Sequence, residues 1–215
     1  MTMRTLVRAQ LRSEIRDKTI LARSLPFVGV VLLLFAFAFD PDRGVLSRIA
    51  PGLWWVTTTF AAMFIYVRDA HNKRESGFIA QFGIDGSTLF VARIIVNSLL
   101  TGVVTVTSGL LVVFLFSPDI ENIFALIVIA VLTTVSISTI GAIYSPLIAR
   151  LHDSGQLLSL VVIPILLPCL LAAIRATEAA MSGATGECWQ WISLIAIFVI
   201  LFGAAGALAA DSLED

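Results

Sequence analysis

Long apolar runs with almost no charge inside them constrain this chain more than any other feature. Residues 22–39, 49–67, 89–116, 123–149, 157–174 and 189–210 form six such runs, and no Asp, Glu, Lys or Arg lies in the middle of any. About 20 residues of α-helix, rising about 1.5 Å each, cross a hydrocarbon layer of about 30 Å. In lipid a segment must satisfy its own backbone hydrogen bonds, so these runs are read as transmembrane helices. Composition agrees: 13% of residues are charged, about half the share of a soluble domain, and the mean hydropathy is +0.97. The runs at 89–116 and 123–149 exceed the bilayer thickness and are expected to tilt or protrude. The expected fold is an all-α integral membrane protein with one transmembrane domain of six spans.

Residues 1–23 differ from the rest. Arg4, Arg8 and Arg12 recur every four residues, and Leu6, Val7, Leu11 and Ile15 provide an apolar side. That pattern describes a basic amphipathic helix lying in the membrane interface. The first apolar run starts only after residue 23, and no small-x-small cleavage site closes it before Asp40-Pro41-Asp42, so it reads as an uncleaved first helix.

Six spans place both ends on one side. With the N-terminus inside, the segments 1–23, 68–88, 150–156 and 211–215, with Arg93 counted beside its loop, hold eleven of the fourteen Lys and Arg residues. Arg43, Arg48 and Arg175 are left outside. The positive-inside rule therefore predicts a multi-pass protein with cytoplasmic termini. A net charge of −1 gives no reason to expect nucleic acid as a partner.

Within the spans, Ser98, Gly102, Thr105 and Gly109 share one helix face, as do Thr134, Ser138, Gly141 and Ser145. Small residues let helices approach closely in lipid, so these two spans are expected to pair. Trp54 and Trp55, near the start of the second run, suit the headgroup boundary. Pro164 and Pro168 bend the fifth span, either as a hinge or as a static kink. Cys169 reads as an apolar helix residue and Cys188 as a loop residue; neither fits a disulfide framework or a metal motif. His71 and His152 fall in cytoplasmic loops, where a lone histidine is a weak metal or haem ligand.

The chain lacks a GxxxxGK[ST] phosphate loop, an HExxH motif, a serine nucleophile elbow and paired carboxylates. It is read as non-catalytic, so any ATP chemistry, with its Mg, belongs to a separate ATPase subunit. Segment 68–88 is the longest cytoplasmic connection: a charged stretch is followed by Phe78, Ile79 and Phe82, with the two phenylalanines four residues apart. Such a segment suits either a soluble partner protein or the membrane surface.

The order of these features resembles the haem exporter protein B family, CcmB, over nearly the whole chain. The resemblance rests on the basic start, the opening Ala50-Pro51-Gly52-Leu53-Trp54-Trp55-Val56, and the segment from Arg68-Asp69 through Gly77-Phe78-Ile79-Ala80-Gln81-Phe82. Gly141-Ala142 and the stretch Pro164-Ile165 to Pro168 fall where the family has a glycine-alanine pair and a proline-rich span. The resemblance implies an ABC-2-type permease fold, six helices preceded by an interfacial elbow helix, in the bacterial inner membrane. It implies a permease subunit for cytochrome c maturation, acting as two copies with two ATPase subunits, a haem-handling membrane protein and a periplasmic haem chaperone. No cofactor is expected on the chain itself, although haem belongs to the complex.

Segment 68–88 would then couple to the ATPase, with Arg68, Asp69, Glu75, Gly77, Phe78, Gln81 and Phe82 as its contact residues. The family's usual Gly-x-Leu-Glu-Gln-Leu is altered here: Ala80 stands at the acidic position, which leaves Glu75 for an acidic contact. Phe82-Gly83-Ile84-Asp85-Gly86 replaces the usual ending. More loosely, the chain is similar to ABC-2 permeases that export drugs, lipids or polysaccharide. A membrane scaffold is the alternative outside transport.

Overall fold

The structure, a computed structural model, describes Val7 and residues 19–38, 43–75, 86–150 and 155–214. Among these residues the fold is all-α, with six helices: α1 (Thr19–Ala38), α2 (Arg43–Glu75), α3 (Gly86–Phe116), α4 (Ile123–Arg150), α5 (Gly155–Met181) and α6 (Thr185–Glu214). Five of them, α2 to α6, are long and apolar enough to cross a membrane, while the apolar part of α1, Ser24–Ala38, is shorter. All 20 residues of α1 would span about 30 Å, so it reaches bilayer thickness only when its first turn is included. This is the topology expected of an ABC-2-like permease.

Most of the basic N-terminal segment lies outside the described residues. Val7 is helical and packs on the main core, and Thr19–Arg23 forms the start of α1.

Several helices run past the expected spans, since intrahelical hydrogen bonds carry a helix beyond the hydrocarbon without loss. The largest change is in α2, whose 33 residues measure about 50 Å. Its apolar part is Gly44–Tyr66. The segment read as a loop over 68–88 is therefore shorter, because 68–75 continues α2 and Gly86 opens α3. His71 accordingly lies on a helix rather than in a loop, and His152 falls outside the described residues. Likewise α5 extends to Met181, past the expected end at 174.

Helices α2, α3 and α4 form the centre. Packed around them, α1 lies on α2 and α3, α5 on α2 and α4, and α6 on α3, α4 and α5. The edge contact of Phe27 with Phe64, 5.3 Å between ring centres, holds α1 to α2, and Ser24 Oγ adds a hydrogen bond to the Ala61 carbonyl (3.3 Å).

At the end opposite the α2–α3 connection, two short turns close the bundle. Asn122 caps α4 by accepting the Ala125 N–H at 3.0 Å, while its own N–H reaches the Ala180 carbonyl at the end of α5 (3.1 Å). Gly183 has φ +74°, the left-handed conformation that ends α5 without Cβ strain. Cys188, expected in a loop, is instead buried in the first turn of α6, with Sγ 3.5 Å from the Ala176 carbonyl. The turn is already over at Ala184, so Cys188 is helical and lies on the face of α6 toward α5, while Glu187 and Trp189 beside it are exposed. Cys169 is buried in α5 as expected.

Helices α3 and α4 do pair, with Thr105 meeting Thr134, but Gly109 and Gly141 of their small-residue faces serve a third helix. A Cβ on Gly109 would lie 2.9 Å from the Trp54 ring, and one on Gly141 would collide with the Tyr66 ring, whereas Gly102 has open space. Both aromatic residues come from α2. Gly141→Ala is expected to lower stability by about 1–3 kcal/mol through overpacking. Gly102→Ala should be neutral or gain up to about 1 kcal/mol from helix propensity. Thermal unfolding of the two variants in mild detergent checks the contrast.

Candidate functional site

The residues expected to meet a partner lie at one end of α2 and just beyond it. Arg68, Asp69 and Glu75 are on the last turns of α2. Gly77, Phe78, Gln81 and Phe82 lie outside the described residues. The structure shows how α2 is held in the bundle and how far it runs without a break.

Trp54 and Trp55 are the anchor. Their place after Pro-Gly suits the headgroup boundary, but both are buried, 8% and 0% exposed. Trp54 begins about 17 Å along α2, and its ring stacks on Trp55 with centres 4.7 Å apart. An indole N–H inside an apolar bundle must find an acceptor, and each finds one on a different helix. Trp54 Nε1 donates to the Thr105 carbonyl of α3 (3.1 Å), and Trp55 Nε1 donates to Thr177 Oγ1 of α5 (2.9 Å). Gly109 makes the first contact possible, because any side chain one turn after Thr105 would block the ring.

Threonine and serine hydroxyls extend this anchor into a chain with a defined direction. Thr177 Oγ1 donates its proton to the Ala173 carbonyl (2.7 Å), leaving a lone pair for Trp55. Thr105 Oγ1 donates to the Thr101 carbonyl (2.9 Å), so in its 2.9 Å pair with Thr134 of α4 the latter is the donor. Ser108 Oγ donates to the Thr105 carbonyl (3.0 Å), which makes Thr58 of α2 the donor in the 2.8 Å Thr58–Ser108 pair. Farther along, the Tyr66 hydroxyl meets Thr101 Oγ1 at 3.3 Å. Side-chain hydrogen bonds between membrane helices are worth about 0.6 kcal/mol each on average. Their main effect here is to fix the rotation and depth of α2 against α3, α4 and α5.

From Trp55 to Glu75 the helix runs about 30 Å without a break. A displacement at the Glu75 end therefore reaches the pinned tryptophans through one continuous helix. Sequence reasoning expects a partner-facing surface at 68–88 but misses the anchor, because adjacent tryptophans after Pro-Gly read equally well as a membrane-interface signal. The detectable clue is the helix-compatible register of Trp54, Thr58 and Tyr66, which repeats after four residues and then after eight.

The prolines of α5 lie within a continuous helix. Pro164 and Pro168 are exposed with Leu167 and Leu171 on a single outer face, away from the anchor. Near the opposite end, Arg175 pairs with Glu178 at 2.9 Å on the surface. Among the described residues, no three His, Cys, Asp or Glu side chains gather as a metal site.

Known proteins resemble this chain over nearly its whole length. The family model described as "CcmB protein" matches residues 1–212. "Heme exporter protein B" of Haemophilus influenzae is 30% identical over 178 residues, covering 81% of this chain and 80% of that relative. The protein of the same name from Pseudomonas aeruginosa is 26% identical over 201 residues, covering 91% and 90%. That from Bradyrhizobium diazoefficiens is 23% identical over 211 residues, covering 94% and 95%.

The anchor makes a graded prediction. Trp55→Phe keeps most of the ring volume and loses only the hydrogen bond to Thr177, a cost of about 0.5–1.5 kcal/mol. Trp55→Ala also leaves a cavity, at about 3–5 kcal/mol. Unfolding midpoints of the purified variants should fall in that order, and equal losses would show that the hydrogen bond dominates.

Proposed function

This chain belongs to the CcmB protein family and is a multi-pass membrane permease subunit of the haem-transport machinery for cytochrome c maturation, and we propose that α2 is its power-transmitting element. ATP and Mg bind a separate ABC ATPase subunit, two of which pair with two copies of this chain. Closure of the ATPases on ATP pushes on segment 68–88, through Arg68, Asp69, Glu75, Gly77, Phe78, Gln81 and Phe82. The push travels along α2 to Trp54 and Trp55, and the helices tied to them shift as packed bodies. The observation that carries this reading is the unbroken helix from Glu75 to the tryptophan pair. A loop would absorb the displacement, whereas a helix passes it on.

On this reading both termini are cytoplasmic, as the distribution of basic residues favours, and segment 68–88 meets the ATPase there. Pro164 and Pro168 lower the cost of bending α5 while α2 moves against it. The work done is delivery of haem, or release of a haem-loaded periplasmic chaperone, with a haem-handling membrane protein as the further partner. This chain contributes no bond-making step and no resident cofactor.

Replacing Phe78 and Phe82 together with Asp tests the coupling surface. Two carboxylates there would have to be desolvated against the ATPase, and each 1.4 kcal/mol of lost affinity is a factor of about ten. The variant should insert normally into the membrane yet lose roughly tenfold or more of the ATPase that co-purifies in mild detergent. Recovery of the ATPase at the wild-type ratio would refute the assignment. Haem absorbance and the identities of co-eluting proteins, recorded on the same sample, separate cytochrome assembly from transport of another cargo.

A further inference from the structure

We infer that the half of the α2–α3–α4 seam nearest Tyr66 holds bound water, gripped by Asn97, Ser138 and Ser145. The inference is independent of the coupling role proposed for α2.

A single polar face runs along α3 through Asn97, Thr101, Thr105 and Ser108, at steps of four, four and three. Opposite it on α4 are Thr134, Ser138, Gly141 and Ser145, at steps of four, three and four. The 2.9 Å contact of Thr105 with Thr134 fixes the register of this antiparallel pair. Moving one turn toward the Tyr66 end sets Ser138 beside Thr101, and the next turns place Asn97 across from Gly141 and Ser145. Tyr66 confirms that register, since its hydroxyl meets Thr101 while its ring covers Gly141.

The two halves of this seam differ. In the half around Thr105 the facing hydroxyls of Thr58, Thr105, Ser108 and Thr134 are hydrogen-bonded, although Thr57 Oγ1 and Thr133 Oγ1 beside them are buried without a partner. In the half around Tyr66, Asn97 Nδ2, Ser138 Oγ and Ser145 Oγ are buried without a protein partner. Asn97 is 3% exposed, and both serines are 0% exposed. A polar group of this kind costs about 1–3 kcal/mol when nothing satisfies it. Water offers up to four hydrogen bonds and commonly fills such polar sites in folded proteins.

A further observation points the same way. Entry is short, because the apolar run of α2 ends at Val67, one residue beyond Tyr66, and Arg93, one turn before Asn97, is only partly buried.

Radiolytic hydroxyl labelling of the full-length protein in lipid nanodiscs tests this, because it modifies side chains beside bound water even when bulk solvent cannot reach them. Tyr66 and Trp55 are buried alike, 2% and 0% exposed, and indole is at least as reactive as phenol toward the radical. Tyr66 should nevertheless be labelled several-fold faster than Trp55, and the Asn97→Leu, Ser138→Ala double variant should lose that excess. Labelling of Tyr66 no faster than Trp55 would mean a dry seam and would overturn the inference. Fast labelling that persists in the double variant would overturn it too, since the water would then not be held by these groups. The midpoint of Asn97→Leu gives a separate sign: it should fall if the carboxamide is hydrated, and a rise would mark an orphaned group in a dry seam.

Discussion

A polar hydrogen inside a lipid-embedded bundle gets no partner from the lipid and must find one within the bundle, and this requirement organises the centre of the molecule. Two adjacent indoles on α2 carry the bulkiest such donors. One needs a backbone carbonyl on α3 and the other a hydroxyl on α5, so α2 can occupy only one rotation and one depth. Apolar contacts alone would not impose this, because lipid tails compete with them on nearly equal terms.

The serines and threonines around the anchor are consequences of the same rule. Each hydroxyl has a single proton, and several give it to a carbonyl of their own helix, as Thr105 and Thr177 do. Their lone pairs then remain free for donors from neighbouring helices. The glycines fit the same scheme: Gly109 and Gly141 are gaps into which aromatic rings of α2 are set. Helices α1 and α6 have less of this internal chemistry and turn apolar side chains outward, such as Val30, Leu34 and Phe37 on α1 and Ile197, Ile200 and Leu201 on α6.

The coupling proposed for α2 needs a continuous element with a firm hold, and α2 runs as helix from Trp55 to Glu75 and is gripped at the tryptophans by specific hydrogen bonds. In the seam beside it, Thr58, Thr105, Ser108 and Thr134 are hydrogen-bonded near the grip, while Asn97, Ser138 and Ser145 have unmet hydrogen-bonding capacity toward the far end.

Sequence alone determined the class of molecule, since runs nearly empty of charge exclude a water-facing surface over most of the chain. It also marked the pairing of α3 with α4, because small residues at helical spacing are legible without knowledge of their neighbours. The fate of Trp54 and Trp55 was not legible. An indole suits an interface or a satisfied interior equally well, and only the positions of Thr105 and Thr177, on helices far away in the chain, decide between them. The length of α2 was hidden for a similar reason: hydropathy detects where lipid ends, but a helix continues for as long as its own hydrogen bonds are met. Cys188 was hidden likewise, because α6 starts early enough to make it helical and its face of that helix meets α5. The sequence by itself determined that this chain lives in a membrane as a helical permease of the CcmB kind. Tertiary structure decided which helix is clamped at the centre, because the partner of a buried donor is a fact about three-dimensional neighbours and not about the residue that carries it.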